Sequence, residues 1–212
     1  MAINTRPDIL FAVNKASRRS KESYLNDWMN VQKIFRYLKE TLDYGINYSR
    51  NNNINAYVDA DYAGDVETRR LTTGFLITIG NAPTSWCSKL QHYVATSTAE
   101  SEYYSINEYG KQWVWYLNIL NKLNYNINSI EINVDNKAAI YNSKYQSVNL
   151  RTKHIDVRFN YIRELVKDNK IKLKYIKSSN NLADSFTIYL NSTLMNKFKS
   201  SLLCNINNLN IT

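Results

Sequence analysis

The sequence has two cysteines, Cys87 and Cys204, and two histidines among 212 residues. The cysteines lie far apart with no Cys-x-x-Cys spacing, which excludes a disulfide framework and a Cys/His zinc site. Any metal must then be held by oxygen. Long apolar runs are also missing: none approaches the ~18 residues that a membrane span needs. Arg6 and Asp8 fall where a secretory leader would carry its apolar stretch. The expectation is an intracellular chain with no membrane partner. Acidic residues are few beside basic ones, 18 against 27, for a formal net charge of +9. A polyanion is the default partner of such a chain, although lysines dispersed over solvated faces give the same sum. Apolar side chains are plentiful: 44% of residues are hydrophobic and 13% aromatic, enough for one or two domains with a real core. Asparagine is frequent as well, and we read its abundance as compositional drift.

The run Asn51-Asn52-Asn53 separates a helical pattern from a strand pattern, so the chain divides near residue 50. Before it, Trp28, Val31, Phe35, Leu38 and Leu42 recur at helical spacing, with Asn26 or Asp27 as N-cap and Gly45 as the stop. A shorter helix covers about Asp8 to Arg18. After the boundary, strand-like runs from Ile54 to Asp59, Leu71 to Ile79 and Thr84 to Gln91 form an antiparallel meander. A long helix from Ser97 to about Leu123, a strand from Ile130 to Asp135 and a short helix near Asn136 follow. Then come a helix around Lys153 to Asp168, with Ile155, Phe159, Ile162 and Val166 on one face, a strand from Lys170 to Lys177, and a last helix containing Asp184. This order predicts an α/β fold: a five-stranded mixed sheet, three antiparallel strands then parallel ones, flanked by helices and preceded by a short helical segment.

Among so few acids, those at strand ends and on buried helix faces stand out. Asp59 sits in an apolar strand, where an unpartnered carboxylate costs several kcal/mol, unless it is an edge or turn acid. Asp61 has the same parity, but Ala63-Gly64 predicts a turn starting there. Ser97-Thr98-Ala99-Glu100 is a capping box, which gives Glu100 a structural task. Glu102 has none, and it lies ~40° from Ile106 on the stripe that continues through Trp113, Leu117 and Leu120. Asp135 either caps the following helix or stands at the C-terminal end of a central strand, where ligands bind in α/β sheets. Asp184 either complements a helix dipole or joins the others. Together the four acids suit Mg²⁺, which takes oxygen ligands and in pairs can clamp the attacking and leaving oxygens of a phosphodiester.

These residues resemble a known family, the ribonuclease H domain of copia-type retrotransposon Pol polyproteins together with the end of the preceding reverse transcriptase. The matching stretches include Thr5-Arg6-Pro7-Asp8-Ile9, Val58-Asp59-Ala60-Asp61-Tyr62-Ala63-Gly64-Asp65, Ser85-Trp86-Cys87-Ser88-Lys89 and Ser97-Thr98-Ala99-Glu100-Ser101-Glu102-Tyr103. They continue with Val134-Asp135-Asn136, Lys153-His154-Ile155-Asp156 and Leu182-Ala183-Asp184. The resemblance implies a ribonuclease H-like fold over 54–190, a helical remnant of reverse transcriptase over 1–50 and a polar, Asn-rich tail over 191–212. It implies that Asp59, Glu102, Asp135 and Asp184 are the catalytic and metal-binding carboxylates. The implied reaction is hydrolysis of the RNA strand of an RNA·DNA hybrid with two Mg²⁺ ions, Mn²⁺ being a possible substitute. Lys89, Lys153, Arg158, Lys172 and Lys174 become candidates for phosphate contact. The reverse transcriptase part of the polyprotein is an implied partner, and the cytoplasm, a virus-like particle or the nucleus the implied place.

The sequence departs from the family pattern in places. Phe186-Thr187-Ile188-Tyr189-Leu190 replaces a Thr-Lys-Pro-Leu type segment, no histidine lies between Lys170 and Asp184, and His154 suits a structural helix start better than proton transfer. The paired aspartates of a polymerase are absent. Two other readings stay open: a degenerate copy that binds nucleic acid without cutting it, and a DNA strand-transferase on the same fold.

Overall fold

The computed structural model describes residues 1–48, 51, 53–62, 69–92, 95, 97–125, 127–145 and 153–208, with the backbone alone for 153–159. Five strands form the central sheet: β1 (Ile54–Asp61), β2 (Thr72–Ile79), β3 (Ala82–Leu90), β4 (Ile130–Val134) and β5 (Ile171–Tyr175). Their order is β3-β2-β1-β4-β5; β1 pairs antiparallel with β2 and β2 with β3, while β4 runs parallel to β1 and β5 to β4. This is the five-stranded mixed sheet, antiparallel strands then parallel ones, that the order of elements predicts. β1 runs on through Asp61, which pairs with Thr72 where a turn was expected.

One face of the sheet lies under α3 (Thr98–Lys122) and α5 (Lys153–Lys167). Ala56 and Val58 of β1, Phe75 and Ile77 of β2, and Ile130, Ile132 and Val134 of β4 meet Ile106, Tyr109, Trp113 and Leu120 of α3 there, with Ile162 and Leu165 of α5. The alternation along each strand and the 3.6-residue period of α3 converge on this one layer. Trp113 is fully buried. Ser97 caps α3 by accepting the Glu100 N–H at 3.2 Å, the first of the two bonds that the capping box predicts. The predicted faces of α5 and α3 hold where side chains are described, at Ile162, Val166, Trp113, Leu117 and Leu120.

The opposite face is closed by the two ends of the chain. Its apolar cluster joins Ala2, Ile9 and Leu10 to Leu76 of β2, Phe186, and Phe198, Leu202 and Leu203 near the C-terminus. The first helices are α1 (Leu10–Ser17), entered through a 3-10 turn Pro7–Ile9, and α2 (Leu25–Glu40). The stretch 191–212, expected as a polar tail, contains α6 (Ser192–Leu202) and a two-residue strand, Cys204–Asn205, paired with Tyr44–Gly45. Gly45 is therefore not a helix stop; α2 ends at Glu40. Asp27 lies in the first turn of α2 and accepts the Tyr24 N–H at 2.9 Å, rather than serving as N-cap. The predicted stripe of α2 is also turned: Trp28, Phe35 and Leu42 are exposed, and of its members Leu38 packs inward, beside Ile34 and Tyr37. A polar lock sets this rotation. The Tyr37 hydroxyl donates to Asp8 at 2.7 Å, and Arg6 binds both Asp8, at 2.8 Å, and the Thr41 hydroxyl, at 2.6 Å. Among the described residues no helix is long and apolar enough to cross a membrane.

Candidate active site

Three carboxylates meet at the end of the sheet. One oxygen each from Asp59, Asp135 and Asp184 lies within 4.8 Å of the other two. Asp59 is on β1, opposite Gly74 of β2. Asp135 directly follows β4, whose N-to-C direction is that of β1, so both acids leave the same end of the sheet. The capping alternative for Asp135 is not realised: Asn136 caps α4 (Lys137–Lys144) by accepting the Ala139 N–H at 3.0 Å. Asp135 instead accepts the Ser178 hydroxyl.

Asp184 arrives from the other face. The segment that carries it is a 3-10 turn, Leu182–Phe186, where an α-helix was expected. Asn181 anchors the turn: its Nδ2 donates to the Val58 carbonyl at 3.0 Å, while its Oδ1 accepts the Ala183 N–H at 3.2 Å. Residues three apart eclipse one another in this geometry, and the Thr187 hydroxyl, three residues after Asp184, donates to Asp59. The close approach requires glycine at position 74. A Cβ there would stand 2.8 Å from Phe186 Cβ and from Thr187 Cγ2, and 3.0 Å from the Ala183 carbonyl.

Glu102 reaches the cluster from α3, in the first face's helix. It lies outside the mutual set of three, buried next to Asp59 and close enough for the charges of Asp59 and Asp135 to act on it. One turn further on, Ser105 donates to Thr73 at 3.3 Å, and Gln91 donates to the same hydroxyl at 2.8 Å, bracing this end of α3 on the sheet. The crowding shows in the acidities. Burial pushes the Glu102 carboxyl up to about 10, helped by the charges of Asp59 and Asp135. Burial followed by Asp59 and Asp135 pushes Asp184 up to about 8. Asp59 rises to about 6 through burial, against the Thr187 hydrogen bond. Asp184 Oδ1 and Glu102 Oε2 are buried without a hydrogen-bond partner in the structure. Oxygen-only donors, buried or half-buried, crowded and incompletely satisfied, are suited to a divalent cation.

The basic candidates are more scattered. Lys89, Lys172 and Lys174 are exposed on strands, and Lys174 is paired with Glu131 at 2.7 Å. The side chains of Lys153, Arg158 and His154 lie outside the described residues. Sequence reasoning passed over Thr187 and Ser178, the hydroxyls that orient Asp59 and Asp135; the spacing of Thr187 three residues after Asp184 was the available signal. It also passed over Lys15 and Arg18 of the N-terminal segment, whose charges act on Asp61.

No protein-family model matches the sequence. It is 39% identical over 184 residues, 86% of the chain, to the retrovirus-related Pol polyprotein from transposon TNT 1-94 of Nicotiana tabacum. It is 31% identical over 201 residues, 93% of the chain, to the retrovirus-related Pol polyprotein from transposon RE1 of Arabidopsis thaliana. The chain spans 14% of the length of each of these relatives. Among solved structures, an RNase H1 isolated from compost by a metagenomic approach superposes with a TM-score of 0.49 at 15% identity, covering 69% of this chain and 97% of that one. With identity at this level sustained over most of its length, the chain belongs to the Pol polyproteins of copia-type retrotransposons.

Proposed function

We propose that the chain is a ribonuclease H that hydrolyses the RNA strand of RNA·DNA hybrids during reverse transcription of a retrotransposon. The observation that carries this reading is the convergence of Asp59, Asp135 and Asp184 from two strands and a separate turn, with their oxygens within 4.8 Å. These three acids, with Glu102 at their edge, would hold two Mg²⁺ ions, with Mn²⁺ as a substitute; the orphaned oxygens of Asp184 and Glu102 fit that use. When bound, such a pair supplies an activated water and neutralises charge at the scissile phosphate. The protein's own part is positioning. The Thr187 and Ser178 hydroxyls hold Asp59 and Asp135 in fixed orientations, and burial beside Asp59 favours the protonated form of Glu102.

The reverse transcriptase part of the polyprotein is the partner this reading assigns. The cell interior, whether cytoplasm, virus-like particle or nucleus, is the place where such hybrids are made. The test is a labelled RNA·DNA hybrid incubated with the purified chain and Mg²⁺. Cleavage leaving 3′-hydroxyl and 5′-phosphate ends is expected, and Asp135→Asn or chelation should abolish it. Cleavage that survives Asp135→Asn overturns the site. Salt-sensitive binding with no product would identify a degenerate copy, and cutting of duplex DNA alone a strand-transferase.

A further inference from the structure

A groove of about 900 Å³ opens between α1, α2 and the segment that follows Asp184. Lys15, Arg18, Arg19 and Lys33 line it, with the ring of Tyr189. These four basic side chains stand against two acids in the lining, Asp8 and Asp27, and Asp8 is ion-paired with Arg6. The wall is thus positive in balance. Tyr189 is 60% exposed, and the Lys15 ammonium stands 5.1 Å from its ring centroid. The groove also adjoins the acid cluster. Ser185 and Tyr189 face the groove, while Asp184 and Thr187 of the same segment face Asp59. On the sheet side, Lys15 and Arg18 act on Asp61, two residues beyond Asp59, and Arg18 reaches the Thr72 hydroxyl at 3.4 Å.

Phe11 meets the Tyr189 ring at 5.0 Å between centroids in an edge-to-face contact, and the ring's exposed part stays available. Cations beside an exposed aromatic ring in a concave track are the chemistry of single-stranded nucleic acid binding: phosphates meet the charges, and a base can stack on the ring. Inside a duplex the base faces already cover one another, so such a ring finds its partner only on an unpaired strand. We infer that this groove holds an unpaired nucleic-acid strand running on from the hybrid, an inference that rests on the ribonuclease H reading above. The N-terminal segment then works as part of the substrate track rather than only as a cover for the sheet.

Fluorescence anisotropy in Mg²⁺, with the non-cutting Asp135→Asn chain, can compare a blunt RNA·DNA hybrid with hybrids carrying a single-stranded extension at either end. One extension should tighten binding about tenfold, the scale of one stacked base. Arg19→Gln with Lys33→Gln should remove that gain and reduce the salt slope by about 1.4, two single-strand phosphate contacts, while blunt-hybrid binding stays unchanged. Tyr189→Ala should remove the gain with the salt slope intact. A melting curve for each variant confirms that it is folded. The inference fails if extensions add nothing, or if the variants weaken blunt and extended hybrids equally. Cleavage by the parent chain separates the two proposals. A parent that cuts blunt hybrid but gains nothing from an extension keeps the activity and loses the groove; one that never cuts but grips the extension does the reverse.

Discussion

The two faces of the sheet are closed by different kinds of sequence. The face under α3 and α5 is built between residues 54 and 173, from helices that follow closely on the strands they cover. The other face is built from residues 2–46 and 182–203, which meet only when both ends of the chain return to the sheet. Each face sends one acid to the same place, Glu102 from α3 and Asp184 from the turn after β5. Each also depends on a glycine for close approach. Gly110 lets α5 press on α3, and Gly74 lets the Asp184 turn press on β2. The difference lies in what the absent side chain would meet. At Gly110 it is the ends of Ile162 and Leu165; at Gly74 it is the Ala183 carbonyl and the β-carbon of Phe186. The first face has room to adjust, whereas the second is held by backbone where the turn bearing Asp184 rests on it.

Removing 191–212 should have the largest effect and would break the comparison outright. It takes away Phe198, Leu202 and Leu203, all at most 5% exposed. At about 1.5–3 kcal/mol each, they rival the ~5–15 kcal/mol that holds a whole domain together. Loss of a cooperative thermal transition is expected; an unchanged Tm would mean that this stretch is a dispensable tail after all.

The paired substitutions Gly74→Ala and Gly110→Ala sharpen the comparison. Gly74→Ala should cost about 1–3 kcal/mol by overpacking and lower the hybrid-cleavage rate, because the turn bearing Asp184 and Thr187 must move away from Asp59. Gly110→Ala should stay within about 1 kcal/mol of the parent, since the helix gains roughly what the displaced side-chain ends lose. Denaturant midpoints and cleavage rates measured together decide it, and equal losses at both sites would erase the distinction.

A further effect concerns the place where the faces meet. Asp59, Asp184 and Glu102 bind their protons more tightly in the folded chain, at about 6, 8 and 10, than the ordinary values of 3.8, 3.8 and 4.5. The stability they lend is therefore present below about pH 4 and is lost as pH rises towards 10. The metal-free Tm should fall across that range, Asp184→Asn should flatten the part below about pH 8, and Mg²⁺ should restore stability at the alkaline end. A Tm that rises with pH through this window would contradict the crowding of the acids.

The first face could be read almost entirely in advance. Its strands alternate, the stripe of Ile106, Trp113, Leu117 and Leu120 has a single period, and Ser97 announces where α3 begins. The second face resisted for physical reasons. α2 is apolar on two sides, and periodicity cannot tell which side will be buried; the Arg6–Asp8–Tyr37 lock, formed across the fold, makes that choice. In the C-terminal stretch Phe198 and Leu202 sit among asparagine, serine and lysine, so a helix that packs by two or three side chains reads as polar. Asp135 was open between cap and ligand until Asn136 was seen to take the cap.

By itself, the sequence determined the chemistry available to this protein. Scarce cysteine and histidine leave oxygen as the metal donor, the excess of basic residues favours a polyanion, and strand and helix periods specify a mixed sheet with carboxylates at its elements' ends. These are local properties, carried by neighbours within a few residues. Tertiary structure decided how the carboxylates meet, because Asp59, Asp135 and Asp184 converge through a parallel strand pair and a turn seated against Gly74, contacts between residues far apart in the sequence. It likewise decided that the chain's two ends form one layer, and that Lys15 and Arg18 stand close enough to act on Asp61.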